Sequence, residues 1–332
     1  MTDKCPVLVT GGAGYIGSHA VLALRDAGWP VIVIDNLVTG FAWAVPGDVP
    51  LVEGNVADGA LVAETIKTHQ IGAIMHFAGS VVVPKSVTDP LKYYRNNTAA
   101  SCSLIESAVT AGVRHFIFSS TAATYGIPEV SPAREDSATR PINPYGMSKL
   151  MTEAMLADVA AAHSFNYAAL RYFNVAGADP AGRTGQSTAG ATHLIKVAVE
   201  AALGKRASVG VFGTDFDTPD GTGVRDYIHV SDLADAHVLA LQKLIATPDE
   251  SHIMNAGYGK GFSVLEVLDS VDRMTNSRIV RSLEPRRAGD PDMLTADNSR
   301  ILATLPWVPK RANLDQIVAD ALAWERTLAE RG

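Results

Sequence analysis

Tyr145 and Lys149 stand four residues apart, a spacing that puts two side chains on one face of a helix. Asn143 suits the cap of that helix and Pro144 its first turn, so the phenol and the ammonium are predicted to project into one space. A cation beside a phenol favours the phenolate and lowers its pKa. Tyr145 is therefore a candidate general base for a sugar or alcohol hydroxyl. A partner for that chemistry lies upstream. Gly11, Gly12, Gly14 and Gly17, in Gly11-Gly12-Ala13-Gly14-Tyr15-Ile16-Gly17, end one apolar run and open a helical one. Such a turn lets a backbone approach closely, and the helix N-terminus offers N–H groups to a pyrophosphate. Asp35 ends the next apolar run, 18 residues after Gly17. A carboxylate there accepts hydrogen bonds from ribose hydroxyls and repels a 2′-phosphate, which favours NAD over NADP. Tyr-x-x-x-Lys also arises by chance on surface helices; the glycine turn and the Ser119-Ser120-Thr121 strand end give it weight here. The combination points to hydride chemistry at a carbinol.

These groups need a scaffold. Val7–Thr10, Val31–Ile34, Leu51–Glu53, Ile74–Phe77, Phe116–Ser120 and Ala168–Phe173 read as strands. Helical patterns lie between them at Tyr15–Ala27, stopped by Gly28, and around 59–69, 91–111 and 144–163. That alternation predicts an α/β fold, a Rossmann-type doubly wound parallel sheet. From about residue 177 the alternation breaks into Gly- and Pro-rich loops and shorter elements. The predicted organisation is a dinucleotide-binding domain over 1–176, carrying the Tyr/Lys helix, and a smaller C-terminal α/β substrate lobe over 177–332. Some elements of that lobe are expected to return to the first domain.

Composition agrees. The chain has 332 residues, 47% hydrophobic and 19% charged, enough for a sizeable core and contrary to disorder. A net charge of -7 argues against nucleic acid as the main partner. Cys5 and Cys102 form no ligand pattern and read as reduced thiols of a cytoplasmic protein. The nine histidines show no metal-ligand spacing, so no metal is expected. No leader or membrane-spanning run is evident.

With these residues in place, the chain resembles the extended short-chain dehydrogenase/reductase superfamily over nearly its whole length. The shared segments are Val9 to His19, Asp35-Asn36-Leu37, His76-Phe77-Ala78-Gly79, Tyr94-Arg95-Asn96-Asn97 and Arg171-Tyr172-Phe173-Asn174. The most specific stretch, Asp220-Gly221-Thr222-Gly223-Val224-Arg225-Asp226-Tyr227-Ile228-His229-Val230, is similar to that of nucleotide-sugar 4-epimerases, the UDP-glucose 4-epimerase family in particular. The resemblance implies reversible 4-epimerisation of UDP-glucose and UDP-galactose through a transient 4-keto sugar, with tightly held NAD. UDP-GlcNAc and UDP-GalNAc are candidate further substrates. It also implies a homodimer through the helices at 91–111 and 144–163.

Residue by residue, the resemblance makes Tyr145 the acid/base and has Lys149 hold the nicotinamide ribose. Thr121 would hydrogen-bond the reacting oxygen. The cofactor would meet Gly11, Gly12, Gly14, Tyr15, Ile16 and Gly17, then Asp35 and Asn36, Asn55 and Val56, and Phe77, Ala78 and Gly79. Asn96 would also face it, with Asn97 as the alternative match, and Phe173 would border the nicotinamide. On the substrate side stand Asn174 at the phosphates, His193 and Leu194, and Gly210-Val211-Phe212 beside the uracil. Arg225 would pair with the diphosphate; Arg286, Arg287 and Asp290 form a second diphosphate and ribose segment. There are departures. Asn55 replaces an Asp near the adenine, with an amide oxygen still able to accept. Val81 replaces a lysine near the cofactor, His193 an asparagine, and Leu294 a bulky tyrosine beside the sugar. Related dehydratases carry Asp-Glu after the strand threonine; Ala122-Ala123 follow Thr121 here and cannot act as acid or base. A net oxidoreductase that releases NADH and a non-catalytic NAD-binding regulator stay open as alternative readings.

Overall fold

A computed structural model describes residues 4–287 and 289–331. β1 (Val7–Thr10) is buried at all four positions and β2 (Val31–Asp35) at all five, the mark of strands covered on both faces. Between them runs α1 (Tyr15–Asp26), which ends where Gly28 takes a φ of +74°, as a residue just beyond a helix commonly does. β3 (Leu51–Glu53), α2 (Gly59–His69) and β4 (Ala73–His76) follow. The expected helix at 91–111 forms, with a π-helical turn inside it: α4 (Pro90–Tyr93), the turn at Tyr94–Ala99 and α5 (Ala100–Thr110) follow one another without leaving right-handed helical backbone, and a short helix, α3 (Val83–Thr88), precedes them. The wider turn falls on Asn96 and Asn97; such insertions recur at functional sites. β5 (His115–Thr121), α6 (Pro144–Ala162), β6 (Asn166–Tyr172) and β7 (Asn174–Ala176) complete the first part of the chain.

All strands of the main sheet are parallel, in the order β3-β2-β1-β4-β5-β6 with a seventh strand beyond β6. From β1 the chain winds outward to β3, then returns to β4 on the other side. The switch point between β1 and β4 is where α/β sheets bind ligands, outside the strands' carboxyl ends. The glycine turn ends β1 there. One face is filled by Val21 and Leu24 of α1, the other by Val62 and Ile66 of α2, Leu104 of α5 and Leu156 of α6.

Beyond residue 176 come α7 (Leu194–Ala202), β8 (Val209–Phe212) and β9 (Val224–His229). Then follow α8 (Val230–Ala246), β10 (His252–Ala256), β11 (Gly261–Ser263) and α9 (Val264–Thr275). β12 (Arg281–Glu284), β13 (Met293–Leu294), α10 (Ser299–Thr304) and α11 (Leu314–Arg331) end the chain. The smaller lobe packs α7, α9 and α11 around Ile195, Val199, Val267, Val271, Ile317 and Val318. β9 pairs with β7, β11 and β13, while β8 pairs with β12. Two of the later elements belong to the main sheet and its layers. β10 is the seventh strand of the main sheet, beside β6, and α8 shares the core of α1 through Leu233, Ala236, Ala240 and Leu241.

Candidate active site

The turn after β1 is built for close approach. Gly11 has a φ of +70°, and a Cβ there would lie 2.6 Å from the Ala78 amide nitrogen. A Cβ on Gly17 would lie 2.1 Å from the Gly11 carbonyl oxygen, while one on Gly12 would meet the Val33 methyls at 2.8 Å. Gly14 differs: its Cβ would meet only the Gly11 oxygen, at 3.2 Å. Protein packing is therefore less restrictive at Gly14 than at Gly11, Gly12 or Gly17. Gly14 caps α1 without a side-chain hydrogen bond, so the helix N-terminus at Tyr15 and Ile16 is open to an anion. The Tyr15 hydroxyl donates to the Gly177 carbonyl at 2.7 Å, tying the turn to the second lobe and leaving only its backbone for a ligand.

Asp35 is buried, and both of its oxygens are oriented. Oδ2 accepts from Ala13 N at 3.0 Å and Oδ1 from Leu37 N at 2.8 Å, and each keeps capacity for a further donor. Asn36 is exposed, its Oδ1 accepting from Val38 N. Asn55 Oδ1, the oxygen expected to be available, accepts from Ala57 N at 2.9 Å; its Nδ2 and one lone pair are what it can offer. Val56 is buried in the core under α2. Of the asparagine pair, Asn97 is the buried one. Its Oδ1 accepts from Ser80 N and its Nδ2 donates to Ser148 Oγ, and it lies against Gly79. Asn96 donates to Ser80 Oγ. Phe77 packs its ring 4.9 Å from that of His237. These features fit a dinucleotide across the switch point: a glycine cradle, an open helix N-terminus and an oriented ribose acceptor.

The catalytic candidates converge at the ends of β5 and α6. Asn143 caps α6 by accepting from Gly146 N at 2.9 Å, and Pro144 sits in its first turn, as predicted. Thr121 ends β5, and its hydroxyl lies against the Tyr145 phenol. Lys149 is buried, donates to the Ser119 carbonyl at 2.8 Å and lies over the Phe118 ring. The expected lowering of the Tyr145 pKa is overturned. Burial pushes it up to about 12, with Thr121 opposing and Tyr93 reinforcing the rise. The reason is that both partners are desolvated and the ammonium is turned onto Ser119. Burial pulls Lys149 itself down to about 8, against the pull of Glu153. Sequence reasoning missed Tyr172, whose hydroxyl bonds Ser119 Oγ and whose charge state is coupled to Tyr145. Its signal was its place in the Arg171–Asn174 segment.

Residues from both parts of the chain gather beside Thr121. Phe173 packs with Tyr125 and Ala296, and Leu294 lies against that cluster. Leu294 stands opposite Arg225 in the β13–β9 register. Burial pulls the Arg225 guanidinium down, Asp290 offsets this, and the two side chains are 3.9 Å apart. Arg287 stacks on the Phe212 ring at 3.6 Å, with Gly210 against the same ring. Val211 faces inward, into the core beneath. Arg286 turns to Asp215 at 2.6 Å and to the Phe216 ring, so it reaches a diphosphate only by leaving Asp215. Asn174, His193 and Leu194 line a small cavity with Tyr227. His193 is exposed at the head of α7, and its Nδ1 accepts from Gln186 Nε2 at 2.6 Å, which directs Nε2–H outward. Ala122 and Ala123 follow Thr121 with no carboxyl group, and Ala123 O lies where a Cβ on Gly146 would come within 2.5 Å. Among the described residues no group of His, Cys, Asp and Glu could hold a metal ion.

Residues 7–257 match the model of the NAD dependent epimerase/dehydratase family. The chain is 57% identical to the UDP-glucose 4-epimerase of Azospirillum brasilense, covering 99% of this chain and 96% of that one. It superposes with a TM-score of 0.95 at 38% identity on the Stenotrophomonas maltophila UDP-glucose-4-epimerase with bound NAD and formylated UDP-arabinopyranose, over 99% and 100% of the two chains. The Bifidobacterium longum UDP-glucose 4-epimerase in complex with NAD+ and UDP follows at 0.91 and 37%, over 97% and 98%. With its parallel sheet in this order and a family match over residues 7–257, the chain belongs to the NAD dependent epimerase/dehydratase family.

Proposed function

We propose that this chain is an NAD-dependent epimerase that inverts C4 of UDP-glucose and UDP-galactose. The observation that carries the reading is the Thr121–Tyr145–Lys149 group at the carboxyl end of β5 and the start of α6, with alanines where an eliminating enzyme needs carboxylates. The substrates are those named for its relatives. When bound, NAD supplies a reversible hydride acceptor for sugar C4. The glycine turn, Asp35 and Lys149 would hold it. Tyr145 exchanges a proton with the 4-hydroxyl oxygen, and Thr121 holds that oxygen by hydrogen bonding. Tyr145 gives up its own proton before the reaction, takes that of the 4-hydroxyl as phenolate, and returns it as the neutral phenol, the form that burial favours. Arg225, with Arg286 and Arg287 at the rim, holds the diphosphate, so the tethered 4-keto sugar turns over without escaping.

Leu294 leaves more space beside the sugar than a tyrosine, which supports UDP-GlcNAc and UDP-GalNAc as further substrates. A homodimer is supported by exposed Val87, Leu91 and Met151 on the packed helices α3, α4 and α6. We place the reaction in the cytoplasm, where Cys5 and Cys102 stay free thiols; among the described residues no helix is long and apolar enough to cross a membrane. The test is incubation of purified protein with UDP-galactose without added NAD. Wild type should reach the glucose/galactose equilibrium, and Tyr145→Phe should lose about 10²–10⁴-fold in kcat. A need for stoichiometric NAD, or an active Tyr145→Phe, overturns the reading.

A further inference from the structure

Glu153 follows Lys149 by one turn of α6 and is almost wholly buried. Its carboxylate is held from two other elements. Arg171 of β6 donates through Nε at 3.0 Å and Nη2 at 2.6 Å, and Ser120 of β5 donates through its hydroxyl. The two strands so gripped carry the rest of the reaction centre. Ser120 lies between Ser119, whose carbonyl receives Lys149, and Thr121. Arg171 precedes Tyr172 and Phe173. A second tier extends the grip, with Arg171 Nη1 donating to the Tyr125 hydroxyl, which donates to Asn255 of β10.

The groups facing Lys149 can be named by element. β5 offers the Ser119 carbonyl and the Phe118 ring, and the π-helical turn offers neutral Asn97. β4 offers His76, kept neutral by burial and by Lys149 itself, with a pKa lowered to about 3. From α6 come the neutral Tyr145 phenol and Glu153. Tyr172 of β6, joined to Ser119, is neutral because burial raises its pKa. One turn along α6 from Lys149, Glu153 is the anion whose charge opposes loss of the ammonium's proton.

We infer that Glu153 is a positioning residue for the epimerisation: gripped by Arg171 and Ser120, its carboxylate keeps Lys149 charged and fixes α6 against the ends of β5 and β6. The inference rests on the reading of Tyr145 and Lys149 as the catalytic pair. Glu153→Gln removes the charge and keeps the size. It also strands a buried guanidinium, so the double variant Glu153→Gln/Arg171→Met is made beside it; replacing both members of a buried pair is tolerated far better than breaking it.

The measurement is the pH profile of kcat and KM for UDP-galactose in the purified holoenzymes. In both variants the alkaline limb of kcat should move to lower pH by about one unit, the scale for losing an opposite charge near an ionisable group, with KM nearly unchanged. The urea stability of the cofactor-free proteins should begin its alkaline rise at correspondingly lower pH. A double variant with the wild-type limb and the wild-type onset would reduce Glu153 to a structural pair member and overturn the inference. Failure of wild type to turn over any UDP-sugar would sink the catalytic reading instead; the stability onset would still decide whether Glu153 sets the charge of Lys149.

Discussion

Alanine substitutions in the glycine turn should separate folding from cofactor retention. A methyl on Gly17 would stand 2.1 Å from the Gly11 oxygen, 2.8 Å from its carbonyl carbon and 2.9 Å from Gly12 Cα. All three are backbone atoms, so relief requires α1 to retreat by about 1 Å to reach ordinary contact. Val21 and Leu24 hold that helix in the core, and overpacking of this kind costs about 3 kcal/mol. Gly12→Ala meets the Val33 methyls, which can yield, at about 1 kcal/mol. Gly14→Ala meets one atom at 3.2 Å and has an extended backbone with φ of -82°, so its stability should stay within about 0.5 kcal/mol of wild type. Nucleotide retention should rank differently. Gly14 borders the open helix N-terminus, and its methyl would occupy the space of the pyrophosphate. Urea unfolding of stripped protein gives the stabilities, and nucleotide released on denaturation gives the content. Gly17→Ala should unfold early, whereas Gly14→Ala should unfold normally but carry less than about a tenth of the wild-type NAD, one order of magnitude being a modest loss for a blocked anion site. A Gly14→Ala protein with full NAD, or a Gly17→Ala protein as stable as wild type, would refute the reasoning.

Other expectations follow from the site. Leu294→Tyr should depress kcat/KM for the N-acetylated pair by about tenfold or more while sparing UDP-glucose and UDP-galactose; equal loss on both pairs would remove Leu294 from control of sugar size. Asp35→Ser should narrow the preference for NAD over NADP, measured by reconstitution of stripped protein, and an unchanged preference would contradict the ribose assignment. Lys149 has a folded pKa of about 8 against 10.5 for the free side chain, so the folded, cofactor-free protein gives up that proton first. Stability from this group is least below pH 8 and grows as pH climbs toward 10.5. The advantage of wild type over Lys149→Met should therefore increase by about 2 kcal/mol from pH 7 to pH 10; a flat difference in urea unfolding would show that the ammonium is not desolvated.

The strands of the main sheet were legible as far as β6 because each has a short apolar stretch between helical patterns. The cap at Asn143 and the stop at Gly28 were legible because both are local. What was not legible depends on long-range placement. α8 has the composition of an ordinary lobe helix, and only the core around α1 shows that its Ala236 and Ala240 face the first domain. The π-helical turn at Asn96–Asn97 changes backbone pairing without changing residue pattern. The Tyr145 pKa was misjudged in direction, since spacing gives proximity to a cation but not the burial of both groups. Arg286 matched a motif, yet its engagement with Asp215 and Phe216 depends on where β8 lies.

The seventh strand has a consequence for biosynthesis. β6 is flanked on its outer side only by β10, which the ribosome delivers some 80 residues later. Until then the nascent cofactor domain carries an unpaired, fully buried-type strand edge at Asn166–Tyr172, the kind of edge that invites pairing with other chains. The main sheet can close only after about half of the residues beyond 176 have been made, so the two parts cannot mature one after the other. A gene fragment stopping near residue 176 would therefore yield an aggregating product rather than a small NAD-binding module.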